Sequence, residues 1–140
     1  MPEFILQKAH GAEWEALDSF AQGYFEAAFF TNAHSDNPEL EEKGFSDLAA
    51  ESIEQAKTEC EAFQRENAAT LEEAYATDDA LGFGLYSAEQ AGRDYWFTRN
   101  GHGVGFWDRG LGDIGERLSA ACRYDERDMY LGDDGRVYLS

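Results

Sequence analysis

Apolar residues recur at spacings of three and four along the first half of the chain, which is the repeat of one face of an α-helix. In residues 13–30 this face consists of Trp14, Leu17, Ala21, Tyr24 and Ala28. The charged residues of the segment fall largely outside that face. We therefore expect a central helix here, with its aromatic side chains packed in the core.

The same repeat continues through residues 46–75, after a connection at residues 31–44 that is dense in turn-forming and charged residues. Ser46 is the candidate N-cap of this second segment. Its apolar positions are Ala49, Ile53, Ala56, Cys60, Phe63, Leu71 and Tyr75. The pattern predicts either one long helix or two joined helices.

The repeat changes in the last third of the chain. Residues 94–99 and 104–108 are rich in aromatic and β-forming residues and enclose a glycine-rich turn, which predicts a β-hairpin. Residues 77–92 contain turn formers and predict only short turns. Residues 111–122 have the spacing of a short amphipathic helix, and Asp134-Gly135 between residues 129–131 and 136–139 predicts a second hairpin.

These elements predict an α+β fold. N-terminal helices, one of them long, would pack on a small antiparallel sheet of about four strands, made of two hairpins with a short helix between them. A chain of 140 residues has the usual size of one domain, so we expect a single domain over residues 1–140. Residues 1–76 would form an acidic helical half, and residues 77–140 a hairpin-helix-hairpin half.

The chain is strongly acidic, with 29 Asp and Glu residues against 11 Lys and Arg and a formal net charge of -18. Direct binding to nucleic acid is disfavoured, because proteins neutralise phosphates mainly with Lys and Arg. The charge is also uneven: residues 1–80 contain 19 acidic and 4 basic residues, whereas residues 81–140 contain 10 and 7. Adaptation to high salt, a second explanation of the acidity, should instead spread the acid over the whole surface.

Carboxylates arrayed along helices can imitate the phosphates of a duplex and attract the basic clefts of proteins that handle nucleic acids. The candidate partner-binding residues lie on the predicted long helix and in the loop before it: Asp36, Glu39, Glu41, Glu42, Glu51, Glu54, Glu61, Glu66, Glu72 and Glu73. The alternative is that these side chains are only solvated and keep the protein soluble and monomeric.

The most distinctive string of the chain is Thr98-Arg99-Asn100-Gly101-His102-Gly103-Val104-Gly105-Phe106-Trp107-Asp108-Arg109. It resembles a hairpin shared by a group of small uncharacterised proteins encoded by bacteriophages and plasmids. In that group, as here, the string follows an acidic helical half containing a sequence similar to Cys60-Glu61-Ala62-Phe63-Gln64. The resemblance extends over residues 40–139 and implies an origin in a mobile element, with no activity to carry over.

Four residues of this string, Arg99, Asn100, His102 and Asp108, are the candidates for an alternative ligand site, because a glycine-rich turn can direct backbone N–H groups at an anion. Such a site would suit a small hydrolase or a protein that binds a phosphate ligand. However, the spacing matches no Walker loop, nucleophile elbow or pair of carboxylates. We therefore assign no catalytic residue and favour a binding protein over an enzyme.

The two cysteines, Cys60 and Cys122, fit no disulfide framework or zinc-binding spacing, so we expect buried thiols, no metal site and no cofactor. No stretch approaches the length of a membrane span, and the first residues lack the pattern of a signal peptide. We therefore expect a cytoplasmic protein, in the cytoplasm of the host cell if a phage encodes it.

The leading hypothesis is thus a phage- or plasmid-derived accessory protein that binds a basic host or defence protein, or a nucleoprotein complex, and inhibits it. Neither nucleic acid itself nor a membrane is an expected partner, and the oligomeric state stays open. A third possibility is a structural or assembly protein that self-associates through exposed aromatic residues such as Phe29, Phe30 and Trp107.

Overall fold

The computed structural model describes residues 11–32, 38–77, 86–101, 103–122 and 126–139. Most of these residues are helical. The helices are α1 (Gly11–Glu15), α2 (Ser19–Asn32), α3 (Pro38–Glu41), α4 (Ala50–Glu66), α5 (Ala68–Tyr75), α6 (Ala88–Arg99) and α7 (Asp113–Cys122). Two 3₁₀ turns, Phe45–Asp47 and Phe106–Asp108, and two strands, β1 (Met129–Leu131) and β2 (Val137–Leu139), complete the elements.

The sheet of the described residues has two antiparallel strands, β1 and β2, in which Tyr130 lies opposite Tyr138. A single parallel bridge from Leu48 to Val137 attaches the hairpin to the segment before α4. The predicted sheet of about four strands with helices packed on it is therefore wrong, and the fold is α+β only in a coarse sense. The second hairpin itself is confirmed, with Asp134 and Gly135 in its turn.

Helix α6 replaces the first predicted hairpin, because residues 94–99 are its second half. The helix begins after Ser87, whose Oγ accepts a hydrogen bond of 3.1 Å from the backbone N–H of Gln90. Its buried positions include Ala91, Asp94, Tyr95 and Thr98, which have helical spacing but alternate apolar with polar chemistry. The short turns predicted for residues 77–92 are therefore wrong from residue 88 onward, and residues 78–85 lie outside the described part.

Helices α2 and α6 cross at two glycines, and this crossing is the centre of the fold. A Cβ atom at Gly23 would overlap the carbonyl oxygen of Glu89, and a Cβ atom at Gly92 would overlap that of Phe20. Each glycine therefore lets the backbone of the opposite helix approach more closely than any side chain would allow.

Aromatic rings fill the core around this crossing. Tyr24 of α2 meets Trp96 of α6 edge to face, with ring centroids 5.3 Å apart. Phe63 of α4 stacks on Tyr95 at 4.4 Å and on Phe106 at 5.8 Å, so it joins the helical core to the second 3₁₀ turn. The core packing predicted for the aromatic residues of residues 13–30 is confirmed for Trp14, Phe20, Tyr24 and Phe25, but Phe30 is exposed.

The remaining helix predictions are confirmed with changes at their ends. The first predicted helix is interrupted between α1 and α2, where Asp18 accepts a hydrogen bond of 2.8 Å from the N–H of Ala21. The second is two joined helices, with Asn67 between α4 and α5, and its N-cap is Ala49 rather than Ser46. The short helix predicted over residues 111–122 is α7.

Candidate functional site

Residues 103–109 of the glycine-rich string fold back against the C-terminal end of α6. The hydroxyl of Thr98 accepts a hydrogen bond of 3.2 Å from the N–H of Phe106, and Asp108 accepts one of 3.1 Å from the N–H of Gly105. A Cβ atom at Gly105 would collide with that same Thr98 hydroxyl. The glycine is therefore explained by packing within the turn.

Asn100 and Gly101 end helix α6. The side-chain amide of Asn100 donates to the carbonyl of Trp96 at 2.9 Å, and its Oδ1 accepts from the N–H of Arg127 at 2.7 Å. Gly101 follows with a φ of 68°, in the left-handed region that favours glycine after a helix. Asn100 thus connects the helix end to the segment that precedes the β-hairpin.

Asp94 is a fully buried carboxylate at the middle of α6. Arg109 binds it with two nitrogens, at 3.0 Å and 2.8 Å from Oδ1, while Tyr86 donates its hydroxyl to Oδ2 at 2.5 Å and Gln90 its amide to Oδ1 at 3.1 Å. Burial raises the pKa of Asp94, and the hydrogen bonds from Arg109, Tyr86 and Gln90 only partly offset this effect. This cluster attaches the turn after the glycine-rich string to α6.

Glu59 of α4 is a second centre of charge, because it accepts hydrogen bonds from two arginines. Its Oε1 accepts from Arg99 at 2.9 Å, and its Oε2 accepts from two nitrogens of Arg127, at 2.9 Å and 2.5 Å. Arg99 is only 2% exposed, also donates to the hydroxyl of Tyr24 at 3.1 Å, and lies over the ring of Tyr95. Burial lowers the pKa of Arg99, but Tyr24, Tyr95 and Glu59 raise it overall, so the guanidinium stays charged.

The residues of the alternative ligand site bind different partners in this structure. Arg99 is buried against Glu59, Asn100 ends α6, and Asp108 binds the N–H of Gly105 and lies 3.8 Å from Arg109. His102 lies outside the described residues. The contacts of Arg99, Asn100 and Asp108 thus hold the turn and the helices together, and the three side chains do not converge on a common point.

Two depressions of the described surface lie elsewhere. One, of about 420 Å³, lies between the start of α4 and the hairpin; its lining includes Phe45, Leu48, Glu51, Arg136 and Tyr138. The other, of about 140 Å³, lies between α2 and α4; its lining includes Leu17, Asp18, Lys57 and Cys60. Neither is lined by Arg99, Asn100 or Asp108.

The candidate partner-binding carboxylates lie mostly on the outside of the fold. Those with exposed side chains are Glu39, Glu42, Glu51, Glu54, Glu61, Glu66, Glu72 and Glu73. Glu41 lies in α3, and Asp36 is outside the described residues. Glu54 lies 3.7 Å from Lys57, and Glu73 lies 3.4 Å from Arg117. The four exposed carboxylates of α4 do not form one row, since Glu54 and Glu61 are seven residues apart on one line of the helix whereas Glu66 lies on a different side of it.

Several arginines of the second half of the chain bind carboxylates of the first half. The pairs are Arg93 with Glu26, Arg99 and Arg127 with Glu59, and Arg117 with Glu73. Sequence reasoning missed all of these pairs, because their members are far apart along the chain and have no local spacing that would indicate them. Ion pairs between the two halves therefore partly neutralise their uneven charge, at a buried position for Arg99 and at an exposed one for Arg117.

Cys60 and Cys122 are free and buried, as the sequence predicted. Within the described ranges, no three His, Cys, Asp or Glu side chains are grouped in a way that could hold a metal ion. No helix among these residues has the length and apolar character needed to cross a membrane. Comparison of the chain with protein-family models, with curated proteins and with solved structures finds no match.

Proposed function

We propose that this protein is a non-catalytic binding protein that occupies a basic, nucleic-acid-binding surface of another protein. Its own contact surface is the exposed carboxylates of α4 and α5, which we call the acidic face: Glu51, Glu54, Glu61, Glu66, Glu72 and Glu73. The resemblance to proteins of phages and plasmids favours a host or defence protein in the bacterial cytoplasm as the partner, which would be inhibited when its cleft is filled.

The observation that supports this proposal is the different placement of the two signs of charge. In the part of the chain that the structure describes, the exposed basic side chains are Arg65, Arg117 and Arg136, and Arg117 is already paired with Asp113 at 2.9 Å. Arg99 and Arg109 instead form ion pairs with Glu59 and Asp94 within the fold, whereas the carboxylates of the acidic face are exposed to solvent. The surface presented to a partner is therefore more one-sided in sign than the composition suggests.

The number of carboxylates per unit length of α4 determines how closely the acidic face can imitate the phosphates of a DNA duplex. Helix α4 has 17 residues and is about 25 Å long, and a DNA duplex of that length carries about 15 charges. Four exposed carboxylates on α4, opposed by Lys57 and Arg65, supply much less. We therefore propose long-range attraction to a basic cleft, with strong dependence on salt, rather than a close copy of a phosphate backbone.

The test compares two variants of equal charge. The acidic-face variant carries Glu51→Gln, Glu54→Gln, Glu61→Gln and Glu66→Gln, and the matched control carries Glu13→Gln, Glu15→Gln, Glu126→Gln and Asp128→Asn, which are also exposed. Each protein is immobilised and exposed to bacterial lysate at low and high salt, and retained proteins are identified by mass spectrometry.

We expect the wild type and the matched control to retain the same basic nucleic-acid-binding protein at low salt and to release it at high salt. The acidic-face variant should retain much less of it. The purified partner should also be displaced from the wild type by duplex DNA, since both would bind the same cleft. Equal retention by all three proteins, or a partner that DNA does not displace, would contradict the proposal.

A further inference from the structure

The turn between α6 and α7 presents two apolar side chains to solvent. Trp107 is 51% exposed and Val104 is 37% exposed, whereas the other tryptophans, Trp14 and Trp96, are 3% and 2% exposed. Trp107 is thus the tryptophan that a partner can reach, and tryptophan is enriched among the residues that carry most of the binding energy of interfaces.

Internal hydrogen bonds hold this turn in place. Thr98 accepts from the N–H of Phe106, on one side of Trp107, and Asp108, on its other side, accepts from the N–H of Gly105. Arg109 then binds the buried Asp94. Because the residues on both sides of Trp107 are fixed, little conformational entropy is lost when a partner contacts the indole.

Carboxylates lie next to this apolar pair. Helix α7 packs against the 3₁₀ turn so closely that a Cβ atom at Gly115 would overlap the carbonyl oxygen of Phe106. The first turn of α7 carries the exposed Asp113 and Glu116, and Asp108 follows Trp107 directly. Both arginines of residues 104–117 are paired, Arg109 with the buried Asp94 and Arg117 with Asp113, so Asp108 and Glu116 leave this segment with a net negative charge.

We propose that Val104, Trp107, Asp108 and Glu116, the Trp107 surface, are the specific docking point for a basic segment of the protein partner, in which an arginine or lysine side chain stacks on the indole. This inference rests on the proposed function and adds to it the contact that determines specificity. Cation–π stacking on tryptophan supplies a short-range interaction that the dispersed carboxylates of the acidic face do not.

Charge complementarity favours a basic protein segment at the Trp107 surface over a second copy of the chain or a nucleic acid. A second copy of the chain would bring a net charge of -18 against the same charge, and a nucleic acid would bring phosphates against carboxylates. A basic protein segment would interact favourably both with the indole and with the negative charge of Asp108 and Glu116 in the same segment.

The direct test uses a fluorescein-labelled deca-arginine peptide as the probe and fluorescence anisotropy as the readout. Trp107→Ala should weaken binding of this peptide about fivefold to tenfold relative to wild type. Phe30→Ala, which removes an exposed aromatic side chain of α2, should leave the affinity unchanged. Circular dichroism checks that both variants are folded, which we expect because both side chains are exposed.

The acidic-face variant separates this inference from the proposed function. If that variant loses affinity while Trp107→Ala binds like wild type, the docking point is wrong and the proposed function stands. If neither variant differs from wild type, both are wrong. A dimer at micromolar concentration that Trp107→Ala dissociates in size-exclusion chromatography would also overturn the inference, since the occupant would then be a second copy.

Quenching of tryptophan fluorescence gives an independent check on the unmodified protein. Trp107 is the exposed tryptophan, so its quenching by caesium, divided by the quenching of free N-acetyltryptophanamide, should exceed its quenching by iodide on the same scale, because Asp108 and Glu116 make this segment negative. Equal normalised quenching by the two ions would contradict the proposal.

Discussion

Replacement of Glu59 by glutamine should destabilise the fold by about 3 kcal/mol, the lower end of the range for breaking a buried ion pair. The amide keeps the size of the side chain and one oxygen acceptor, but it removes the negative charge that Arg99 and Arg127 share. Arg99 is 2% exposed and cannot replace the lost partner with bulk water. We choose the lower end because the side chains of Glu59 and Arg127 are 18% and 19% exposed, so water can partly screen that side of the cluster.

Urea unfolding followed by circular dichroism measures this effect. With a slope of about 2 kcal/mol per molar urea, a loss of 3 kcal/mol lowers the midpoint by about 1.5 M. Glu61→Gln is the matched control, because Glu61 lies on the same helix and is exposed. This control removes the same charge from a chain with a net charge of -18, so it should change stability by less than about 0.5 kcal/mol or stabilise slightly.

A double-mutant cycle with Arg127→Gln tests whether the loss comes from the pair itself. Arg127→Gln should cost less in the Glu59→Gln background than in the wild type, because the carboxylate that it binds is already absent. Equal midpoints for Glu59→Gln and Glu61→Gln would refute the reasoning, since they would show that burial of the cluster contributes nothing to the free energy of unfolding.

Two further predictions follow from the core. Gly92→Ala should destabilise the fold by about 2 kcal/mol or more, because the added Cβ atom would overlap the backbone of α2. Gly103→Ala is the control, because Gly103 has open space around it, and it should have little effect. Similar melting temperatures for the two variants would contradict the close helix crossing. Burial raises the pKa of Cys122 and of Tyr75 to about 12 and that of Cys60 well above its usual value. These groups ionise at lower pH in the unfolded chain than in the folded protein. The free energy of unfolding should therefore be highest below about pH 8.5 and should fall toward pH 12, by about 1.4 kcal/mol per pH unit for each group that is ionised only in the unfolded chain. Unfolding titrations that show constant stability from pH 8 to pH 11 would contradict this expectation, as would rapid reaction of either native thiol with a disulfide reagent at pH 8.

The helical repeat was sufficient to predict the elements whose buried face is apolar throughout. Helix α4 is an example, since Ala56, Cys60 and Phe63 are buried at helical spacing, and the Asp134-Gly135 turn similarly identified the β-hairpin. Helix α6 was missed because Asp94 and Thr98 interrupt its buried face with polar residues, so only the aromatic run at residues 95–97 stood out. That run has a high intrinsic β-propensity, which tertiary packing against α2 overrides.

A local signal for α6 was nevertheless present. Ser87 is followed three residues later by Gln90, which is the spacing of a capping box at a helix start, and Ser87 does cap the helix. No comparable signal exists for the role of Arg99. Its partner Glu59 is 40 residues away in the sequence. Arg99 could therefore be recognised as a residue able to bind an anion, but its buried ion pair with Glu59 could not be predicted.

The uneven charge of the chain has two physical origins that the sequence alone does not separate. Some carboxylates of the first half, such as Glu26 and Glu59, neutralise arginines of the second half within the fold, and their place there is explained by stability. Others, such as Glu51, Glu61 and Glu66, have no ion pair with any residue that the structure describes and lie in solvent. Charge repulsion among exposed carboxylates reduces the stability of the compact state, so folding does not explain them, and solubility or a partner must. The basic partner that we propose would give the acidic face and the exposed Trp107 one common role, whereas solubility would explain the carboxylates alone.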